Sequence, residues 1–79
     1  ENEIMKKLFE EVTGKTVYNL FEEGTDDKRY GITVTSENES VSICDITTVF
    51  EKAYEIYELL IKNFVSPIHT KYIITDMIS

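Results

Sequence analysis

The chain has 79 residues, with 8 basic and 15 acidic side chains and a formal net charge of −7. That length holds one domain over residues 1–79 with a thin core, and the apolar content argues against global disorder. The acidity opposes direct nucleic-acid binding and attraction to an anionic membrane, both of which draw on an excess of Lys and Arg.

The single cysteine, Cys44, rules out an internal disulfide. The first residues contain no apolar signal core, and no apolar run approaches the roughly 18 residues of a membrane span. A cytoplasmic protein is expected, since a secreted domain of this size would usually need disulfide staples. Met5 is a candidate natural start, with residues 1–4 ahead of it.

Residues 1–15 carry two patterns. Ile4, Met5, Leu8, Phe9 and Val12 make a helical stripe that Gly14 would stop. Alternatively, KLFEEV is an edge strand that turns at TGKT into the strand-like run TVYNLFEE. The polar loop EGTDDK then leads to YGITVT, where Tyr30, Ile32 and Val34 alternate with Gly31, Thr33 and Thr35. VSICDI repeats the alternation, with Val41, Ile43 and Asp45 against Ser42, Cys44 and Ile46. With SENES as the turn between them, these two runs form an antiparallel hairpin.

The strongest periodicity follows. In TVFEKAYEIYELLIKNF, residues 48–64, an arc of Val49, Phe50, Ala53, Tyr54, Ile56, Tyr57, Leu60, Ile61 and Phe64 faces one way. Glu51, Glu55, Glu58 and Lys62 face the other. Thr48 with Glu51 fits a capping box at the helix start. Leu59 lies off the stripe. Pro67 then breaks the helix and suits the first position of a second one, with Ser66 as its cap. In that helix, 67–78, Ile73, Ile74, Met77 and Ile78 share a face with Thr70, although the β-branched content also permits a strand.

Tyr30-Gly31-Ile32, Asp45-Ile46-Thr47, Ser66-Pro67-Ile68-His69 and Asp76, in this order, resemble a family of short proteins from spore-forming Gram-positive anaerobes, a domain of unknown function. The similarity covers roughly residues 16–78. The resemblance implies that the N-terminal segment joins the sheet as a strand, which tips residues 1–15 that way. It implies no activity. The chain departs from the family at Thr70, Tyr72 and Thr75, where the family tends to carry Leu, Asp and Glu. An acidic cluster in the last helix is therefore not expected here.

The residues of chemical interest support little chemistry. Within one helix, Asp76 stands about 10 Å along the axis from His69, too far for a direct hydrogen bond. Structural seating of the last helix is the plainer role for His69. Cys44 lies in an uncharged or acidic stretch, which does not activate a thiol. A lone Cys and a lone His make no zinc site. TGKT ends like a phosphate-binding loop, but the glycine that motif needs at position 9 is Phe9. EEGTDDK lacks the alternating spacing of a calcium loop.

The expected fold is α+β: a small antiparallel sheet of three or four strands packed against two C-terminal helices. By elimination, the expected function is a non-enzymatic protein–protein interaction or regulatory module, with no cofactor and no metal. Leu59, with Tyr30, Ile32 and Val34 on the sheet, is the candidate partner-binding set, and a homodimer is one use of it. An alternative is an acidic inhibitor that mimics nucleic acid, as a mobile-element product does. It would need Glu22, Glu23, Asp26, Asp27, Glu37 and Glu39 to form one surface. A small enzyme using His69 is a third reading. It would need a deep pocket beside His69 and a second titrating side chain.

Overall fold

A computed structural model of the chain describes residues 5–78. Four strands, β1 (Met5–Thr13), β2 (Thr16–Glu23), β3 (Arg29–Thr35) and β4 (Ser40–Thr47), form an antiparallel sheet in the order β1-β2-β3-β4. Helices α1 (Phe50–Lys62) and α2 (Pro67–Ile78) follow. The fold is therefore α+β, and the ambiguous N-terminal stretch is a strand from Met5 onward. Ile4 and the residues before it lie outside the described residues. Gly14 stops no helix. Its φ of +62° opens a two-residue turn between β1 and β2, as a glycine at the first central position of a II′ hairpin does.

Beneath the helices, Tyr18 and Leu20 of β2 and Tyr30, Ile32 and Val34 of β3 meet Ala53, Ile56, Tyr57 and Leu60 of α1 and Ile74 of α2. Two buried hydroxyls tie these layers together. Tyr57 donates to the carbonyl of Tyr18 at 2.9 Å. Tyr18 donates to the carbonyl of Val65, between the helices, at 2.8 Å. The opposite face of the sheet is mostly polar, with hydroxyl pairs Thr33–Ser42 at 3.1 Å and Thr35–Ser40 at 3.0 Å. Phe21 is buried there apart from the main cluster, its ring lying over Gly31. A Cβ at Gly31 would come within 2.4 Å of that ring, so the glycine is what lets the phenyl lie flat.

Two irregularities redirect side chains against the simple alternation. In β1 the register skips Leu8 between Lys7 and Phe9. Consecutive Leu8 and Phe9 therefore both turn toward the helices. Leu8 packs on the core, and the Phe9 ring lies 5.3 Å from that of Tyr54. In β4, Ile43 pairs with Ile32 and Thr47 with Tyr30, so Gly31 faces the whole stretch from Cys44 to Ile46. Asp45 takes a left-handed φ of 56°. It does not share a face with Val41 and Ile43. It turns outward, 3.7 Å from Nε of Arg29, and Ile46 takes the inward place instead of siding with Ser42 and Cys44.

Helix α1 is shorter than its hydrophobic period at both ends. The Thr48–Glu51 capping box does not form: the N-cap is Val49, with no side-chain cap. The β-type backbone of β4 runs on through Thr47, whose Oγ1 accepts from the Val49 N–H at 3.1 Å. Val49 is consequently exposed rather than in the arc. At the other end the N–H of Phe64 bonds to the carbonyl of Ile61 and that of Val65 to the carbonyl of Leu60. This is a Schellman motif in which buried Val65 meets buried Leu60. Phe64 occupies its left-handed position with φ 52°, and its ring is 71% exposed instead of completing the arc. The Ser66 cap also differs. Its hydroxyl goes to Nδ1 of His69 at 3.0 Å, and its carbonyl accepts from Thr70 Oγ1 at 2.8 Å and from the N–H of His69 at 3.1 Å.

Because an L-residue in the left-handed region costs roughly 1–2 kcal/mol and Phe64 buries little in return, Phe64→Gly should raise stability by about 1 kcal/mol in urea unfolding. Burial, helped by the charges of Glu11 and Glu58, pushes the Tyr57 phenol up to about 12, and burial raises Tyr18 as well. An unfolded tyrosine titrates near 10. In that interval the folded chain holds a proton the unfolded chain has lost. Stability is therefore complete below about pH 10 and falls as pH rises toward 12. Tyr57→Phe should make this alkaline loss shallower while lowering stability at neutral pH by about 1 kcal/mol, through the hydrogen bond lost to Tyr18. Urea titrations across that pH range, followed by circular dichroism, measure both effects.

Candidate functional site

Of the partner-binding residues expected from sequence, Tyr30, Ile32 and Val34 are 9%, 0% and 0% exposed. The chain's own helices cover that face. Leu59 stays at the surface at 37%, one residue before the core anchor Leu60. The six loop carboxylates do not converge. Glu22, Glu23, Asp26 and Asp27 lie at one end of β3 and Glu37 and Glu39 at the other, about 20 Å apart for a seven-residue strand. Glu23 is buried, Glu22 pairs with Lys28 at 3.3 Å, and Glu37 pairs with Lys15 at 3.1 Å.

Ser66 and His69 are hydrogen-bonded, as a nucleophile and base would be, and the turn of α2 brings them together at i, i+3. Both belong to the helix start, and His69 is exposed. The Thr70 hydroxyl bonds to the Ser66 carbonyl, a backbone atom, and does not orient the His69 ring. The groove described below is lined by Pro67 and Ile68 but not by Ser66 or His69. Asp76, two turns along α2, is exposed. Cys44 is exposed on β4. No group of three or more His, Cys, Asp or Glu among the described residues is placed to hold a metal. No helix among them is long and apolar enough to cross a membrane.

A concave feature lies where α2 runs beside the start of β4. An open groove of about 940 Å³ is lined by Val41 on the strand and by Pro67, Ile68, Lys71, Tyr72 and Thr75 on the helix. Ile68 and Tyr72, one turn apart, are 57% and 75% exposed. They stand on the side of α2 away from buried Thr70 and Ile74, so α2 is apolar on two sides. That doubled pattern was present in the sequence as Ile68 and Tyr72 outside the inward stripe. It marks a second apolar side of α2, outside the inward stripe.

The groove borders a sheet edge. Among the described residues no strand pairs with the outer side of β4, nor with that of β1. The two edges differ in chemistry. β1 carries Lys6, Lys7, Glu10 and Glu11 and is broken by the irregularity at Leu8, which are devices that discourage strand addition. From Ser40 to Cys44, β4 carries no charge, and its pairing with β3 is regular through Ile43, the irregularity beginning at Cys44. A run of unpaired backbone donors and acceptors therefore lies beside two exposed apolar side chains.

The model of a protein family described as a family of unknown function, DUF6514, matches residues 2–79. No curated protein and no solved structure matched the chain.

Ile68 and Tyr72 face water, so Ile68→Ser and Tyr72→Ser should each shift the urea midpoint by the equivalent of less than about 0.5 kcal/mol. Ile74→Ser, on the buried side of the same helix, should cost more than about 2 kcal/mol. Equal losses on the two sides would show that the groove face is structural.

Proposed function

We propose that this chain, which belongs to the family of unknown function DUF6514, is a non-enzymatic protein–protein interaction module of the cytoplasm whose contact surface is the uncharged edge of β4 together with the outer side of α2. The observation that supports this reading is the contrast between the edges: the chain blocks strand addition along β1 and leaves it open along β4, beside Ile68 and Tyr72. A partner strand laid along Ser40–Cys44 would satisfy the open ladder, and the groove would take side chains next to it. Backbone pairing of this kind supplies affinity, and an exposed aromatic such as Tyr72 supplies the anchor. A cytoplasmic site of action is in keeping with the single cysteine, which makes no internal disulfide.

Site-specific photocrosslinking in the native host tests the surface. A photoreactive residue at position 72 should yield a discrete adduct with one protein chain, identifiable by mass spectrometry. The same residue at position 55, on the exposed side of α1, should not. Ser42→Asp, which places a charge on the exposed side of the edge strand, should abolish the adduct. Absence of any protein adduct from position 72 would defeat the proposal.

A further inference from the structure

We infer that the strand completing the β4 edge is β4 of a second copy of this chain, paired antiparallel about a two-fold axis at Ser42. This rests on the reading of β4 and α2 as the contact surface and names its occupant.

The first argument is self-complementarity. With Ser42 on the axis, Val41 of one copy opposes Ile43 of the other, and Ser40 opposes Cys44. Ser40, Ser42 and Cys44 are exposed and small, whereas Val41 and Ile43 are half-buried and packed against the core cluster. Each face of the strand thus meets its own kind, and the half-buried pair completes its burial against the half-buried pair of the partner.

The second argument concerns the helices. A two-fold axis perpendicular to the sheet keeps both copies' helices on one face. Since α2 lines the groove beside the β4 edge, the two α2 helices meet over the axis and cover Ile68 and Tyr72. A lone peptide strand would complete the ladder but bring no second helix to lie against those side chains.

Charge points the same way. Each copy carries −7, so two copies repel unless they meet where the field is weakest. Lys71, Glu39 and Asp76 all line the groove, both signs on one patch, as a surface that meets itself requires. Finally, the charged and interrupted β1 edge disfavours head-to-tail pairing of β4 on β1. Association therefore closes at two copies and does not run on as a filament.

Light scattering on the purified chain up to roughly 100 µM should give the mass of two chains, with dissociation on dilution. Ser42→Lys and Ser42→Glu each set like charges opposite one another at the axis. Each should weaken self-association by about tenfold or more, with an unchanged circular dichroism spectrum. An equimolar mixture of the two variants should recover the two-chain mass as a heterodimer. A wild-type chain that stays monomeric would overturn the inference. So would a dimer indifferent to both variants, which would place the interface elsewhere. If the purified chain is monomeric while position 72 still crosslinks to a different protein, the contact surface stands and only its occupant is wrong.

Discussion

The hydrogen-bond relay from Tyr57 through Tyr18 to Val65 holds the two layers in register. Apolar contact alone would let a helix slide along the sheet, because dispersion is nearly indifferent to small shifts. The relay is directional. The Tyr57 hydroxyl reaches one carbonyl of β2, and the Tyr18 hydroxyl crosses to a carbonyl in the joint between the helices, 47 residues away in sequence. That second carbonyl lies past the last turn of α1, where a backbone acceptor would otherwise be buried without a partner. Two side chains thereby fix the position of α1, the place where it ends and the point from which α2 departs.

The position of the groove follows from that joint. The Schellman closure of α1 is made with Phe64 where glycine is usual, so the bend is kept by its contacts and not by backbone preference. Pro67 then begins α2 at a position that needs no N–H donor. The Ser66–His69 contact and the Thr70–Ser66 bond knit the first turn. Their combined effect is to lay α2 beside β4, with Ile74 inward and Ile68 and Tyr72 outward. Ser-Pro-Ile-His thus works as a joint that aims a helix, and the side chains that reach the surface are its consequence.

The sequence made the elements legible because each long face kept one period. Tyr30, Ile32 and Val34 announced a strand, and Ala53, Ile56, Tyr57 and Leu60 announced a helix, whatever covered them. It could not say what that cover was. An apolar sheet face looks the same under a partner as under the chain's own helices, so three core residues stood as candidates for binding. The irregularities at Leu8 and Asp45 escaped for another reason: each inserts residues whose inward or outward sense depends on the neighbouring strand. The helix cap misled because Thr47, Thr48 and Ser66 can all bond locally, and only the course of the chain decides which of them does. The groove was hardest to foresee, since Val41 and Tyr72 are brought together by the position of one bend.

The consecutive order β1-β2-β3-β4 also has a consequence during synthesis. Every strand pairs with the one made just before it, so the sheet can zip up as hairpins within microseconds of each strand becoming available. Its cover is made later. At ordinary translation rates, the stretch from Thr48 to Ile78 takes roughly 2 to 6 s to add. A sheet that forms ahead of its helices carries Tyr18, Leu20, Ile32 and Val34 with nothing above them, and β4 is the last of its strands to be laid down. Nascent chains on one messenger carry that surface side by side, so the interval in which the molecule is most adhesive precedes the moment its last helix closes over the core.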